Sequence, residues 1–410
     1  MNVLIVSQYF WPENFRINDL VRGLCQRGHS VTVLTGLPNY PEGRFFRGYG
    51  FFGKKREDYH GAQVVRVPML PRGKGSGARL LLNYLSFAFF ASLLAPFRCR
   101  EEYDVIFVYE PSPITVGLPA LLLRKLKKAP VAFWVQDLWP ESLSATGAVR
   151  ARWLLNLVER LVKFIYRGCD LVMVQSEAFA PSLEKLGVNR ERIAYFPNSA
   201  EDLYAPVALP QDAPERAGLP DGFRVMFAGN IGAAQDFGTI LGAAEQLKSY
   251  PDIHWLILGD GRMLPWVKAQ IEERGLGSSV HLLGRHDVEA MPRYFALADA
   301  MLVTLKKEPI FALTIPSKVQ SYLACGRPVI AALDGEGARV ILEASAGVVA
   351  PAEDAAGLAE AVLGMYRMEA GAREQMGLNG LRYFWDNFER AMLLERLERW
   401  LHEMKEKGCR

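Results

Sequence analysis

Short, continuous apolar runs alternate with amphipathic stretches along most of the chain. In the first half the runs are 2–6 (NVLIV), 31–35 (VTVLT), 63–67 (QVVRV), 104–109 (DVIFVY), 130–135 (PVAFWV) and 170–175 (DLVMVQ). Runs that are apolar throughout, rather than alternating, predict strands buried on both faces, as in a parallel sheet covered by helices. Between the first two runs, Ile17, Leu20, Val21 and Leu24 fall at i, i+3, i+4 and i+7, and Gly28 is a stop signal. The segment 13–27 therefore predicts a helix, and the whole a right-handed βαβ unit.

After Tyr195-Phe196-Pro197-Asn198 the pattern lapses. Residues 200–222 hold four Pro and several acids without a strong period, and 199–222 read as a linker. The alternation then resumes. Strands are predicted at 223–228, 253–258, 279–283, 299–304, 328–332 and 347–349, with helices at 236–249, 262–274, 287–297 and 317–325. The chain thus reads as two α/β domains of similar size enclosing a cleft, with ligands expected outside the carboxyl ends of the strands. A last helix is predicted over 381–406.

At 410 residues the chain exceeds one ordinary core. Its 48 Lys and Arg against 45 Asp and Glu exclude a strongly basic nucleic-acid binder. Five Cys with no CxxC spacing disfavour a disulfide scaffold or structural zinc and fit a reducing compartment. The opening NVLIV run is too short for a secretion signal. The stretch 80–97, LLLNYLSFAFFASLLAPF, is about long enough to reach across a bilayer. Asn83, Ser86 and Pro96 interrupt it, and Arg72, Lys74, Arg79, Arg98 and Arg100 flank it. It suits a segment lying on an anionic membrane surface, or a buried core helix.

Candidate chemistry concentrates in a few places. The loop 7–16 after the first strand holds no Gly, which disfavours a dinucleotide site there. Gly229-Asn230-Ile231-Gly232 closes a strand and lets backbone N–H groups approach a phosphate. A tight turn is an equal reading. In 309–329, Pro316-Ser317 looks like a helix start with Ser317 as N-cap. Lys318 would then sit in the first turn, unfavourable against the helix dipole unless an anion is bound beside it.

SQYFWPENFRINDL (7–20), RGHSVTVLTGLPNYPEG (27–43), VQDLWPES (135–142), FPN (196–198), AGNIGAAQDF (228–237) and IPSKVQSYLACGRPVIA (315–331) occur in order. With them the chain resembles GT-B glycosyltransferases of retaining family 4, and within it the O-antigen and capsule branch that includes N-acetyl-L-fucosamine transferases. The resemblance covers essentially the whole chain. It implies two Rossmann-like doubly wound domains facing a cleft: an acceptor domain over 1–198 and a nucleotide-sugar domain over 223–382. The last helix, 383–410, would cross back onto the first.

It implies a nucleotide-sugar donor held by Gly229, Asn230, Gly232, Gln235, Arg285, Ser317 and Lys318, with Gln320 or Ser321 at the ribose. The acceptor, polyprenyl-diphosphate-linked or an oligosaccharide, would meet Glu13, Asn14 and Arg16. No cofactor or metal is implied. The expected place is the cytoplasmic face of the bacterial inner membrane. Two departures stand out. An acidic pair common among relatives falls on Leu313 and Ser321, and cations common after the first strand of the second domain fall on Asn230 and Gln235. For catalysis, Asp137 is the candidate contact to sugar or acceptor, with a helix cap as its plain alternative, and Glu110 is a second candidate. A nucleotide-sugar 2-epimerase and a binding-only scaffold are the competing functions.

Overall fold

The structure, a computed structural model, describes residues 1–73, 77–145 and 151–408, so Lys74 and Cys409 lie outside it. It divides into two units, Met1–Pro197 with Ala391–Arg410, and Asn198–Arg390. The first holds β1 (Asn2–Val6), β2 (Ser30–Thr35), β3 (Arg56–Tyr59), β4 (Ala62–Arg66), β5 (Val105–Glu110), β6 (Val131–Val135), β7 (Leu171–Val174) and β8 (Ile193–Tyr195). Their order in the sheet is β3-β4-β2-β1-β5-β6-β7-β8, all parallel except the β3–β4 hairpin. The second holds β9 (Phe223–Ala228), β10 (Ile253–Leu258), β11 (Val280–Gly284), β12 (Ala300–Thr304), β13 (Val329–Ala332) and β14 (Gly347–Ala350). These run β11-β10-β9-β12-β13-β14, all parallel.

Each apolar run of the sequence is a strand. The two it did not show are β3 (REDY), a half-exposed edge with no apolar run, and β8 (IAY), only three residues long. In both sheets the strand order reverses beside the first strand, between β1 and β5 and between β9 and β12. Ligands of doubly wound sheets bind at the carboxyl ends flanking such a reversal.

Two boundaries differ from the sequence reading. Residues 199–222 belong to the second unit: Ala200 is buried in its core, and Tyr204 stacks on Phe295 with ring centroids 5.9 Å apart. The C-terminal segment is two helices, Ala370–Asn387 and Arg390–Gly408. Phe384 and Phe388 are buried with the second unit, so the return begins at 391 and not at 383. From there Leu393, Leu397 and Leu401 enter the core of the first unit.

The apolar stretch forms the helix Gly77–Arg98, long and apolar enough to cross a membrane. Only one face is buried, by Asn83, Phe87, Ala88, Ala91 and Ala95. Leu81, Leu82, Leu85, Phe89, Leu93 and Phe97 are exposed. Asn83 points inward, where its Oδ1 accepts from Gln8 Nε2 at 2.8 Å and its Nδ2 donates to the Leu70 carbonyl. The helix is therefore not a core helix apolar all round.

Candidate functional site

In the second unit, β9 ends at Ala228 and the chain turns through Gly229 with φ +139°. A Cβ there would lie 2.7 Å from Lys318 Cε and 3.0 Å from Nζ. The backbone conformation demands glycine, and the lysine's end fills the room it leaves. Gly259 after β10 is equally constrained, since its Cβ would meet the Gly229 carbonyl oxygen at 1.8 Å.

Lys318 stands in the first turn of the helix Ser317–Ala324. Its Nζ donates to Gln235 Oε1 at 2.6 Å and lies 3.7 Å from the Phe227 ring centroid. Among the described residues no salt bridge reaches it. Burial pulls its ammonium down to about 7. A desolvated cation facing only an amide oxygen and a ring lacks a counter-ion, which an incoming anion would supply. The first amide N–H groups of that helix lack intrahelical acceptors and add to the same attraction.

The surrounding parts are held firmly. The Thr304 hydroxyl donates to the Gln235 carbonyl, and the Tyr322 hydroxyl accepts from the Ala228 N–H at 3.2 Å. Beside Gly229 opens a pocket of about 290 Å³, lined by Asn230, Gly259, Asp260, Arg285 and His286 among others. Gly229, Asn230, Gln235, Arg285 and Lys318 are thus gathered at the carboxyl edge of this sheet, with Gly232 in the same turn. Phe227, Gly259 and Asp260 escaped the sequence reading. The LGDG run at 258–261 ends a strand in glycines, as AGNIG does, and was the available signal.

Three residues are placed differently from expectation. Pro316, not Ser317, is the N-cap, and it makes no side-chain cap bond; Ser317 is the first helical residue and is exposed. Gln320 is buried, and its Nε2 donates to the Asn198 carbonyl at 2.6 Å. Two residues on a helix are about 200° apart, so Gln320 faces away from Lys318. The Ser321 hydroxyl donates to the Ser317 carbonyl at 3.2 Å, a local back-bond.

In the first unit, Glu110 ends β5 and Asp137 follows β6. Glu110 is fully buried, and neither carboxyl oxygen has a hydrogen-bond partner among the described residues. Burial, then repulsion from Asp137, raises it well above the usual carboxylate range, offset in part by the nearby Asp137 and Gln136 N–H groups, which lie short of hydrogen-bond geometry. Burial raises Asp137 to about 6. Tyr84 is nearby: its hydroxyl interacts with Ser112 and feels both carboxyl groups. Asp137 caps no helix; the next, Glu141–Ala145, starts four residues on. Desolvated carboxyls of raised pKa are a recurrent mark of proton-handling sites.

Glu13 has another use than the one expected. Its Oε1 accepts from the Asn39 and Tyr40 N–H groups at 2.7 Å each, and Oε2 from the Phe10 N–H at 3.3 Å. It ties the loops after β1 and β2 together, and burial lifts it to about 7. Asn14 is exposed beside it, and Arg16, half-buried at the start of the helix Arg16–Gln26, reaches the Tyr109 hydroxyl electrostatically. Among the described residues no group of three or more His, Cys, Asp and Glu is placed to hold a metal.

Residues 14–199 match the glycosyl transferase 4-like domain, and residues 222–368 match glycosyl transferases group 1. The chain is 26% identical over 338 residues to WcaI of Escherichia coli (strain K12), a glycosyl transferase assigned provisionally to colanic acid biosynthesis; the match covers 80% of this chain and 82% of that one. It is 29% identical over 282 residues to the probable glycosyltransferase WbjE of Pseudomonas aeruginosa, covering 67% and 69%. Among solved structures, Anabaena HepE in complex with UDP superposes with a TM-score of 0.71 at 17% identity, covering 98% of this chain and all of that one. Sucrose-phosphate synthase from Thermosynechococcus elongatus does so with a TM-score of 0.74 at 18% identity, covering 98% of each. Two glycosyltransferase domain matches, in order and one to each unit, and a fold shared over nearly the whole length make this chain a GT-B glycosyltransferase.

Proposed function

We propose that the chain is a retaining transferase that moves a sugar from a nucleoside-diphosphate donor, UDP first among them, to a lipid-linked or oligosaccharide acceptor in bacterial surface polysaccharide synthesis. One observation carries the donor half: a part-buried Lys318 with no anionic partner among the described residues, packed on Gly229 at the end of β9. HepE was solved with UDP, and WcaI and WbjE, whose names speak of glycosyl transfer, match across both units; these support the reading. An N-acetylated amino sugar or deoxysugar is the donor class the sequence resemblance favours.

In this reading Lys318, Arg285 and the N–H groups at Gly229 and the helix start hold the leaving diphosphate, and no metal is required. Fixed donors at a site of developing negative charge stabilise the transition state without reorganising. Asp137, ionised at neutral pH with its pKa near 6, contacts the donor sugar or takes the acceptor hydroxyl proton. The exposed face of Gly77–Arg98 rests on the cytoplasmic surface of the inner membrane, where a polyprenyl-linked acceptor would be found.

The test is a thermal-shift screen against UDP-, GDP-, ADP- and dTDP-sugars. A ligand at 100 times its Kd stabilises the native state by about 2.7 kcal/mol. UDP-sugars are expected to give the largest shift. No shift with any of the four would remove the donor assignment.

A further inference from the structure

The first unit has a second open feature. Helices Gly117–Lys127 and Arg152–Arg167 lie side by side, brought close where Gly117 meets Ile165 and Gly168 meets Leu121. A groove of about 920 Å³ runs between them. Lys125, Lys128, Arg160 and Arg167 line it, and none takes part in a salt bridge among the described residues. Two further cations, Arg124 and Lys163, are paired with Asp170 and Glu159 at 2.6 and 2.5 Å. No carboxylate lines the groove among the described residues, and Leu118, Leu122 and Phe164 supply its apolar surface.

Arg160 stands two turns before the end of its helix, and Lys125, Lys128 and Arg167 lie at the last turns of theirs, near the start of β6 and β7. That is the edge of the sheet opposite to Glu110 and Asp137. Helix dipoles favour cations at such ends. They do not account for the leucines between them, nor for Phe164, which is 59% exposed. Gly77–Arg98 packs beside Gly117–Lys127, and its exposed Leu85, Phe89 and Leu93 enlarge the apolar surface on this unit. An apolar-floored groove bordered by cations outside any salt bridge among the described residues fits an anionic amphiphile.

We propose that this groove binds one anionic phospholipid. Its phosphate is held by Lys125, Lys128, Arg160 and Arg167, and its acyl chain lies over Leu118, Leu122 and Phe164. The site extends the membrane part of the reading above but stands on its own residues. It is separate from the donor pocket.

The test titrates the full chain with dihexanoyl phosphatidylglycerol below its micelle concentration, followed by calorimetry. Dihexanoyl phosphatidylcholine and inorganic phosphate serve as comparisons. Saturable binding of one phosphatidylglycerol per chain is expected, at least about ten-fold tighter than either comparison, since each cation near an anionic lipid contributes appreciably. The triple variant Lys125→Gln, Lys128→Gln, Arg160→Gln should weaken it at least about ten-fold, and Phe164→Ser about three-fold. Lys268→Gln, Arg382→Gln, Arg399→Gln removes the same charge elsewhere and should leave it unchanged. The UDP thermal shift should persist in all of them, which keeps this test apart from the donor assignment. Should the Gln variant fail to fold, Lys125→Arg, Lys128→Arg, Arg160→Lys keeps the charges and should keep binding. Equal binding of phosphatidylcholine or phosphate, equal loss in the control variant, loss in the charge-conserving variant, or no saturable binding would each overturn the proposal. Vesicle association lost with Phe89→Ser, Leu93→Ser but kept in the groove variant would leave the helix as the membrane contact and remove the lipid site.

Discussion

The carboxyl edges of the two sheets share a topology and carry opposite chemistry. At the end of β9 the chain half-buries a cation, Lys318, against Gly229. At the ends of β5 and β6 it holds two carboxyl groups, Glu110 fully buried and Asp137 half-buried, with no cation bonded to them among the described residues. Both edges hold desolvated charge without a full complement of partners, and each group's pKa is pushed toward neutrality for that reason. A strand order that opens a crevice dictates where a ligand sits; the residues in the crevice decide which charge it must bring. On the proposed function the β9 edge takes an anion, and the β5–β6 edge a group with a proton to give.

The largest effect expected from this contrast lies at the acidic edge. Asp137→Asn keeps shape and removes charge. Turnover should fall about 100-fold or more, the usual scale for a proton-handling group, while UDP binding stays as in the parent. Steady-state kinetics with UDP calorimetry measures both. Unchanged turnover would reduce Asp137 to a polar neighbour of Glu110.

Glu13 sharpens the contrast within the first unit, as a buried carboxylate that does have partners. Glu13→Ala leaves the Asn39, Tyr40 and Phe10 N–H groups without their acceptor. A loss of about 1–3 kcal/mol is expected in urea unfolding, with UDP affinity unchanged. The sign of its pH dependence follows from a folded pKa raised to about 7. The native state binds more protons than the unfolded chain between about 4.5 and 7, so this group's contribution falls as pH rises through that window. The parent should lose stability there relative to Glu13→Gln. A parent and variant with parallel profiles would contradict the buried placement.

A smaller effect concerns the exposed face of Gly77–Arg98. Phe89→Ser, Leu93→Ser alters side chains that are 62% and 52% exposed, so the thermal midpoint should move by no more than a degree or two. Co-sedimentation with anionic vesicles should drop several-fold, and the parent's should weaken as salt rises. A variant that unfolds would show those residues to be core.

Most of the fold could be read from the sequence because runs such as NVLIV and IHWLIL are buried on both faces and leave an unbroken apolar signature. β3 and β8 could not, because an edge strand and a three-residue strand leave none. Lys318 was legible at the site, since a cation in a helix's first turn after a strand is an anomaly that asks for an anion. Gln320 and Ser321 were assigned by position in a motif, and helix rotation turned Gln320 away. Glu13's tie to the Asn39 and Tyr40 N–H groups could not be read, because they lie more than twenty residues along and no local pattern records that contact. Phe227, beneath the Lys318 ammonium, was read only as part of a strand.

The central claim is that Lys318 is a cation waiting for the diphosphate, and proton linkage tests it most directly. With its pKa drawn down to about 7, Lys318 is largely neutral at pH 8 in the free enzyme. A bound diphosphate favours the charged form, so UDP binding should take up a substantial fraction of a proton at pH 8. Calorimetry in buffers of different ionisation enthalpy counts that proton. The account predicts uptake in the parent, none in Lys318→Ala, and an affinity at least about ten-fold weaker in that variant, as expected for one lost charge-assisted contact. Equal affinity and equal proton uptake in parent and variant would contradict it.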